Sequence, residues 1–412
     1  MQMLWERPDL ELMSEIGNVP GKTEMTPDSA TARAAQLMSE FARRTGLFPA
    51  SPKGQRYLWT DAFAVCNFLE LFARTGEELY LRHATDLIDQ VHHVLGRYRA
   101  DDPRNGWISG LDEEPGKQHP TISGLRIGKP LKERQVGEPI DEQLEWDRDG
   151  QYFHYLTKWM HALCRAAVLD GRPVYAEQAV ELAEAAFQRF THRSASGNVV
   201  GIYWKMSTDL SRSLTFAMGL HDALDGFLTF REVQNVISKM RVKTNAGDLT
   251  RAITSISSLC RSKNWGTSDP LGIGGLLFDA CRLSQLPHWP GDHYLFEEIT
   301  NACEDSIRAF FASRFLTRPA SHRLAFRELG LAIGLKAVPT ILEPSKNRRF
   351  PKGRPLQYQS LAEEIITAWL PRAQAPDELW HAHQDINDVM LATALTPNTF
   401  LSVDERMLIN TS

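Results

Sequence analysis

Apolar residues recur along most of the chain at three- and four-residue spacing, the period that covers one face of an α-helix, and strict alternation is nearly absent. The first such segment opens at Thr26-Pro27-Asp28, a capping residue with an early proline, and runs through SATARAAQLMSEFARRTG to a stop at Gly46. A helical hairpin follows. Trp59-Thr60-Asp61 leads into AFAVCNFLELFARTG, and EELYLRHATDLIDQVHHVLGRY returns after a turn at Gly76. The next hairpin pairs a helix near Tyr152 with VYAEQAVELAEAAFQRF. Gly76 and Gly171, Tyr80 and Tyr175, Ala84 and Ala179, and Leu87 and Leu182 match at one common offset, which predicts a repeated helix-turn-helix unit. Three more pairs are expected: the helix opening at Met218 to Gly226 with GDLTRAITSISSLCRS, LLFDACRLSQL with HYLFEEITNACEDSIRAFFASRF, and RLAFRELGLAIGLKAV with SLAEEIITAWL.

The pattern is interrupted over about residues 99–149, a stretch rich in Gly, Pro and charge. A connection of that length in a compact protein is commonly functional. Trp107, Ile108, Leu125 and Ile127 predict that it is ordered and folds over the helices. The segment NVVGIYWKMSTDLSRSL allows a brief strand or a packed loop.

The count is therefore all-α, with the unpaired helix near Ala30 available to the unpaired helix near Asn387. Six hairpins closing on one another form an (α/α)6 barrel, or toroid, with a long loop insertion near residues 99–149. The alternative is an open α-solenoid, which has no need of terminal helices that complete each other. Residues 26–412 are expected to form the single toroid domain, with 1–25 as an N-terminal extension. In a toroid, the polar or Gly-rich clusters ahead of several helices would meet on one face.

Composition narrows the partners. With 46 Lys+Arg against 51 Asp+Glu, the net charge of -5 gives no basic field for nucleic acid or an anionic membrane. Five widely spaced cysteines in apolar patterns read as reduced core thiols, and MQMLWERPDLELMSEIG lacks a basic region followed by an apolar run. No stretch approaches the length of a membrane span. A cytoplasmic protein is expected, and no feature sets its oligomeric state.

The aromatic and acidic helix starts Trp59-Thr60-Asp61 and Trp146-Asp147-Arg148-Asp149-Gly150-Gln151-Tyr152, the hairpin count and the Gly272-Ile273-Gly274-Gly275 turn resemble the six-hairpin glycosidase superfamily. That group includes glycoside hydrolases, unsaturated glucuronyl hydrolases and N-acylglucosamine 2-epimerases. The resemblance is architectural, covers roughly residues 26 to 400, and transfers no catalytic residue.

Chemistry nominates the site instead. Sugar cleavage needs a proton donor whose pKa is raised by burial and a second carboxylate on the other face of the ring. Asp149 is the first candidate for one acid/base member, and as a helix cap, with Asp61 or Asp222 as its partner. The plainer readings are that Asp61 is an N-cap and that His221, Asp222 and Asp225 form a polar turn. Trp59, Trp146, Asp147, Tyr152 and Trp204 are expected to hold a small-molecule or oligosaccharide substrate, with His381 and His383 beside them. A sugar epimerase or isomerase is the second reading, with His154 or His221 moving a proton next to a carbonyl. A non-catalytic helical scaffold for a glycan or protein is the third. His381-x-His383-x-Asp385 lacks the i, i+4 spacing of a helical zinc site, and no phosphate loop, dinucleotide fingerprint or nucleophile elbow occurs, so neither metal nor cofactor is expected. Gly272 to Gly275 reads as close helix packing or a tight turn, and Lys346 to Lys352 as a solvated basic loop.

Overall fold

Thr26 Oγ1 accepts the Ser29 backbone N–H and starts helix α1 (Pro27–Arg44), as the Thr-Pro-Asp opening predicts. The computed structural model describes residues 26–51, 54–215, 217–242, 249–261, 263–342, 356–374 and 377–403. The N-terminal extension and the basic loop at 346–352 lie outside the described residues. In chain order the first hairpin is α2 (Leu58–Thr75) with α3 (Glu78–Leu95). The long insertion carries two short helices, α4 (Glu113–Gln118) and α5 (Glu142–Asp147), and strand β1 (Gln151–Tyr152). Next come α6 (Phe153–Asp170), α7 (Pro173–Phe190), and strands β2 (Thr191–Arg193), β3 (Val199–Ile202) and β4 (Lys205–Met206). The rest is α8 (Asp222–Met240), α9 (Thr250–Ser257), α10 (Pro270–Gln285), α11 (Asp292–Ala312), α12 (Ala325–Lys336) and α13 (Val338–Leu342), then α14 (Leu356–Trp369), α15 (Glu378–His381), α16 (Gln384–Leu395) and α17 (Asn398–Leu401).

Helices α2, α6, α8, α10, α12 and α16 each pack on the next in that order, and α16 packs back on α2. Outside them, α3 covers α2, α7 covers α6, α9 covers α8, α11 covers α10, α14 covers α12, and α1 covers α16. This is the (α/α)6 toroid, and the pairing of the first helix with α16 excludes the open solenoid. The two rings differ as their positions demand. Every residue from Leu58 to Leu71 of the inner helix α2 is buried, whereas α3 buries one stripe at Ala84, Leu87, Ile88, Val91 and Leu95. A polar residue in an inner helix must then find a protein partner. Asn67 does so across the closure, donating to the Val389 carbonyl at 3.0 Å and accepting from Thr393 Oγ1 at 2.9 Å. Arg44 of α1 reaches Asp388 at 2.7 Å, which also accepts from Trp380 Nε1 at 2.8 Å.

The repeated unit is real at its turns. Gly76 and Gly171 end α2 and α6 with φ of 69° and 73°, and their N–H groups bond the Phe72 and Ala167 carbonyls. The left-handed conformation is costly for any residue with a Cβ. The insertion is ordered, as Trp107, Ile108, Leu125 and Ile127 predict; all four are buried. It is laced to the ring by Leu58 N–H to Ile127 O at 3.0 Å and Arg126 N–H to Leu95 O at 2.9 Å. Strand β1 pairs with β4 and β2 with β3, both antiparallel, and β3 and β4 lie in the segment read as a brief strand or packed loop.

The short helices α4, α5, α13 and α17 have no counterpart among the predicted ones. Helix α17 packs on α2, α6 and α10, where Thr399 donates its N–H and Oγ1–H to Glu70 at 2.7 and 2.6 Å, and Gln285 donates to the Leu401 carbonyl at 2.8 Å. All five cysteines are buried thiols, and no helix among the described residues is long and apolar enough to cross a membrane.

The Gly-rich start of α10 packs backbone to backbone on α12. A Cβ on Gly274 would sit 2.0 Å from the Gly330 carbonyl oxygen, and one on Gly334 2.5 Å from that of Gly274. Neither obstacle is a side chain that can swing away. Gly274→Ala is expected to destabilise the fold by about 1–3 kcal/mol in urea unfolding, while Ala at Gly275, where a Cβ meets nothing within 4 Å, should be neutral or better.

Candidate active site

A cavity of about 1550 Å³ opens at the N-terminal ends of the inner helices, and each of the six contributes residues from its first two turns. Its inner surface includes three phenyl rings from three elements. Phe400 of α17 stacks on Phe63 and on Phe278, with centroids 4.4 Å apart in both cases. Beneath them a second layer of charge is fully enclosed: His161 Nδ1 lies 2.9 Å and Arg165 Nη2 3.1 Å from Glu232, and His161 Nε2 donates to the Phe400 carbonyl at 3.0 Å. Such a network closes the cavity on the far side and holds α17 to the ring.

Three of the acids that line the cavity, Asp61, Asp222 and Asp225, come from helix starts. Asp61, in the first turn of α2, is 2% exposed; its Oδ2 accepts the Tyr57 N–H at 2.9 Å, and Arg56 Nη1 stands 3.6 Å from Oδ1. Burial raises its pKa from 3.8 to about 6, against the opposing pull of Arg56 and the Tyr57 N–H. Asp222 opens α8 and is 6% exposed, with one Gly219 N–H on Oδ2 at 2.9 Å. Burial raises it to about 7, opposed by that N–H and aided by the negative charge of Asp225. Asp225 sits one turn deeper and behaves oppositely. Burial pushes it up, yet Lys158 at 2.8 Å and Arg282 at 2.5 Å outweigh burial and hold it well below the usual carboxylate range. The contrast comes from cations: Asp225 has two, and Asp222 has none within ion-pair distance among the described residues.

Aromatic rings form the opposite kind of surface. Tyr152 stacks on Trp204 at 4.8 Å and on His154 at 5.5 Å, and Trp146, 56% exposed, meets Trp204 edge-on at 5.0 Å. Trp59 packs against Phe63 at 4.4 Å. Tyr57 and Tyr155 share a hydrogen bond of 2.5 Å between their hydroxyls at the cavity wall. Burial lowers the pKa of His154 to about 4, so its imidazole is neutral at neutral pH. His221 lines the cavity but donates its Nε2–H to the Trp265 carbonyl at 2.9 Å. His381 and His383 are exposed residues at the rim. No group of three or more His, Cys, Asp or Glu that could hold a metal occurs among the described residues.

Two of the acids nominated from the sequence stand elsewhere. Asp147 is exposed at the end of α5 and does not line the cavity. Asp149 is buried behind the wall: Oδ1 accepts the Gly128 and Lys129 N–H groups at 3.0 and 3.3 Å, while Oδ2 pairs with Arg126 and lies 3.7 Å from Arg99. Nor does it cap α6, whose N-cap is Tyr152 with no side-chain capping bond. Its charge is spent on a loop, for the simple reason that residues 126–130 need a central acceptor. Conversely, Arg56, Tyr57, Tyr155, Lys158 and Asp279 are cavity residues outside the nominated set. The readable signal was a charged residue on an otherwise apolar helix face, as at Lys158 and at Asp279 three before Arg282; Arg56 and Tyr57 lie in a linker without a pattern.

No protein-family model matches the chain, and no curated protein matches it. Among solved structures, the GH76 α-mannanase from Bacteroides thetaiotaomicron aligns over 91% of this chain and 99% of its own, with 9% identity and a TM-score of 0.53. The cellobiose 2-epimerase from Spirochaeta thermophila aligns over 84% and 87%, with 15% identity and a TM-score of 0.46. The chain thus shares its (α/α)6 toroid fold with the α-mannanase.

Removing one member of a buried, hydrogen-bonded charge pair leaves the other uncompensated. Asp149→Ala is expected to lower unfolding free energy by about 3–5 kcal/mol in chemical denaturation. A catalytic carboxylate would lose turnover with its unfolding curve unmoved.

Proposed function

We propose that the chain is a carbohydrate-active enzyme that hydrolyses glycosidic bonds in this cavity, with Asp222 as proton donor and Asp61 as the ionised carboxylate. The observation that carries the reading is two buried carboxyl groups with raised pKa values facing one aromatic-walled cavity. A carboxyl near pH 7 keeps its proton long enough to give it to a leaving oxygen, and one nearer 6, with Arg56 beside it, is ionised at neutral pH and takes the base or nucleophile role. Flat apolar rings at Trp59, Tyr152 and Trp204 suit the C–H faces of a sugar, with Trp146 at the mouth. α-Mannosides are the first substrates to test, since a mannanase shares the fold.

A second reading rests on His154. A neutral imidazole in the same cavity suits abstraction of a proton from carbon beside a carbonyl, the step of an epimerase or isomerase. Of the two histidines nominated for that step, His221 is the less suited, with one nitrogen already committed to Trp265.

The hydrolase reading expects a bell-shaped rate profile with limbs near pH 6 and pH 7: activity falls below the first as Asp61 gains its proton and above the second as Asp222 loses its own. Asp222→Asn should reduce turnover by about 10²–10⁴-fold. Its effect on stability runs the other way. The wild-type carboxyl has a higher pKa folded than unfolded, so its contribution is present below about pH 4 and lost as pH rises through about 7. The Asn variant should therefore melt at or above wild type at pH 8. Wild-type turnover in Asp222→Asn on every sugar that wild type cleaves would remove the hydrolase assignment. Reaction of free sugars in D2O separates the second reading: deuterium appearing on carbon, and lost in His154→Ala, is the epimerase outcome.

A further inference from the structure

Every arginine and lysine among the described residues lining the cavity stands beside a carboxylate, Arg44, Arg56, Arg99, Arg126, Lys158 and Arg327 alike, with the exception of Lys129. Its side chain is half-buried, and its ammonium lies 5.3 Å from the Tyr57 ring centroid, with no acid within ion-pair distance among the described residues. The ammonium meets a ring face, which leaves its N–H donors without a protein acceptor among the described residues. The backbone that presents it is held on both sides. Gly128 has φ of 91°, and a Cβ there would sit 2.1 Å from the Arg56 carbonyl oxygen. The Gly128 and Lys129 N–H groups go to Asp149, and Arg99 donates to the Lys129 and Pro130 carbonyls at 2.5 and 2.8 Å. A solvated surface lysine has no use for such a mount. The buried carboxylate of Asp149, which takes no part in the proposed chemistry, thereby acquires a purpose: it anchors the loop that aims Lys129.

We propose that Lys129 is the recognition residue for an anionic substituent on the sugar, so that the cavity takes an acidic saccharide bearing a carboxylate, sulfate or phosphate group in preference to its neutral counterpart. The inference rests on the reading of the cavity as a sugar site. Tyr57 meets the ammonium from one face and leaves its N–H donors for an oxygen anion, while the surrounding arginines are already engaged with carboxylates.

The test is calorimetric binding to the full chain, which does not depend on turnover. The ligands are glucuronate, glucose 6-sulfate, glucose 6-phosphate and glucose, titrated into wild type, Lys129→Gln and Lys129→Arg. A charge-assisted hydrogen bond predicts that at least one acidic ligand binds roughly tenfold or more tightly than glucose. Lys129→Gln should abolish that margin without changing glucose affinity or the melting temperature, and Lys129→Arg should restore most of it. The carboxylate, sulfate and phosphate arms identify which anion fits. Equal affinity for acidic and neutral sugars, no acidic ligand bound, or a preference that survives Lys129→Gln each overturns the inference. A Lys129-dependent preference in a protein that cleaves no glycoside would leave the inference standing and remove the hydrolase reading instead.

Discussion

A ring of helices has no edge, and that single requirement governs the rest of the molecule. Each inner helix must present an apolar surface to two neighbours and to its outer partner, which is why α2 is buried continuously from Leu58 to Leu71 while α3 needs only a stripe. Closure is made by the two ends of the chain: α1 lies on α16, α16 on α2, and Asn67, Thr393, Arg44 and Asp388 tie the joint with directed bonds. Where backbones must come closest, at α10 and α12, glycines replace side chains.

Closure also creates the chemistry. Once six helix starts converge, residues far apart along the chain share one volume of low polarity, and their proton affinities depend on the neighbours each happens to face. Asp222 and Asp225 are three residues apart on one helix, yet one is pushed toward neutrality and the other locked as an anion. The half-buried Lys158 and the buried Arg282 pair with Asp225, and neither lies within ion-pair distance of Asp222. A floor of stacked phenyl rings is tied through the Phe400 carbonyl to an enclosed ionic layer of His161, Arg165 and Glu232.

How much of this could be read beforehand follows from where the information lies. Hairpins are local, so periodicity and the Gly76 and Gly171 turns reveal them, and the pairing of the first helix with the one near Asn387 follows from counting. The convergence of Asp61, Asp222, His154, His221, Trp59, Tyr152 and Trp204 on one cavity follows from the toroid once it closes. Asp149 shows the limit. Its cluster of acids looks like a catalytic helix start, but the partners that consume its charge, Arg126 and the 128–129 amides, sit about twenty residues upstream in a loop without periodicity. Lys129 and α17 escape notice for the same reason: their roles are defined only by three-dimensional neighbours.

Closure of the ring buries Asp61 and Asp222 at one mouth and so raises their proton affinity. The most direct measurement is a carboxyl carbon-13 NMR titration of aspartate-labelled protein, with the two signals assigned through Asp61→Asn and Asp222→Asn. The account predicts midpoints near pH 6 for Asp61 and near pH 7 for Asp222. Midpoints near pH 4 for both, the value of a solvated aspartate, would contradict it.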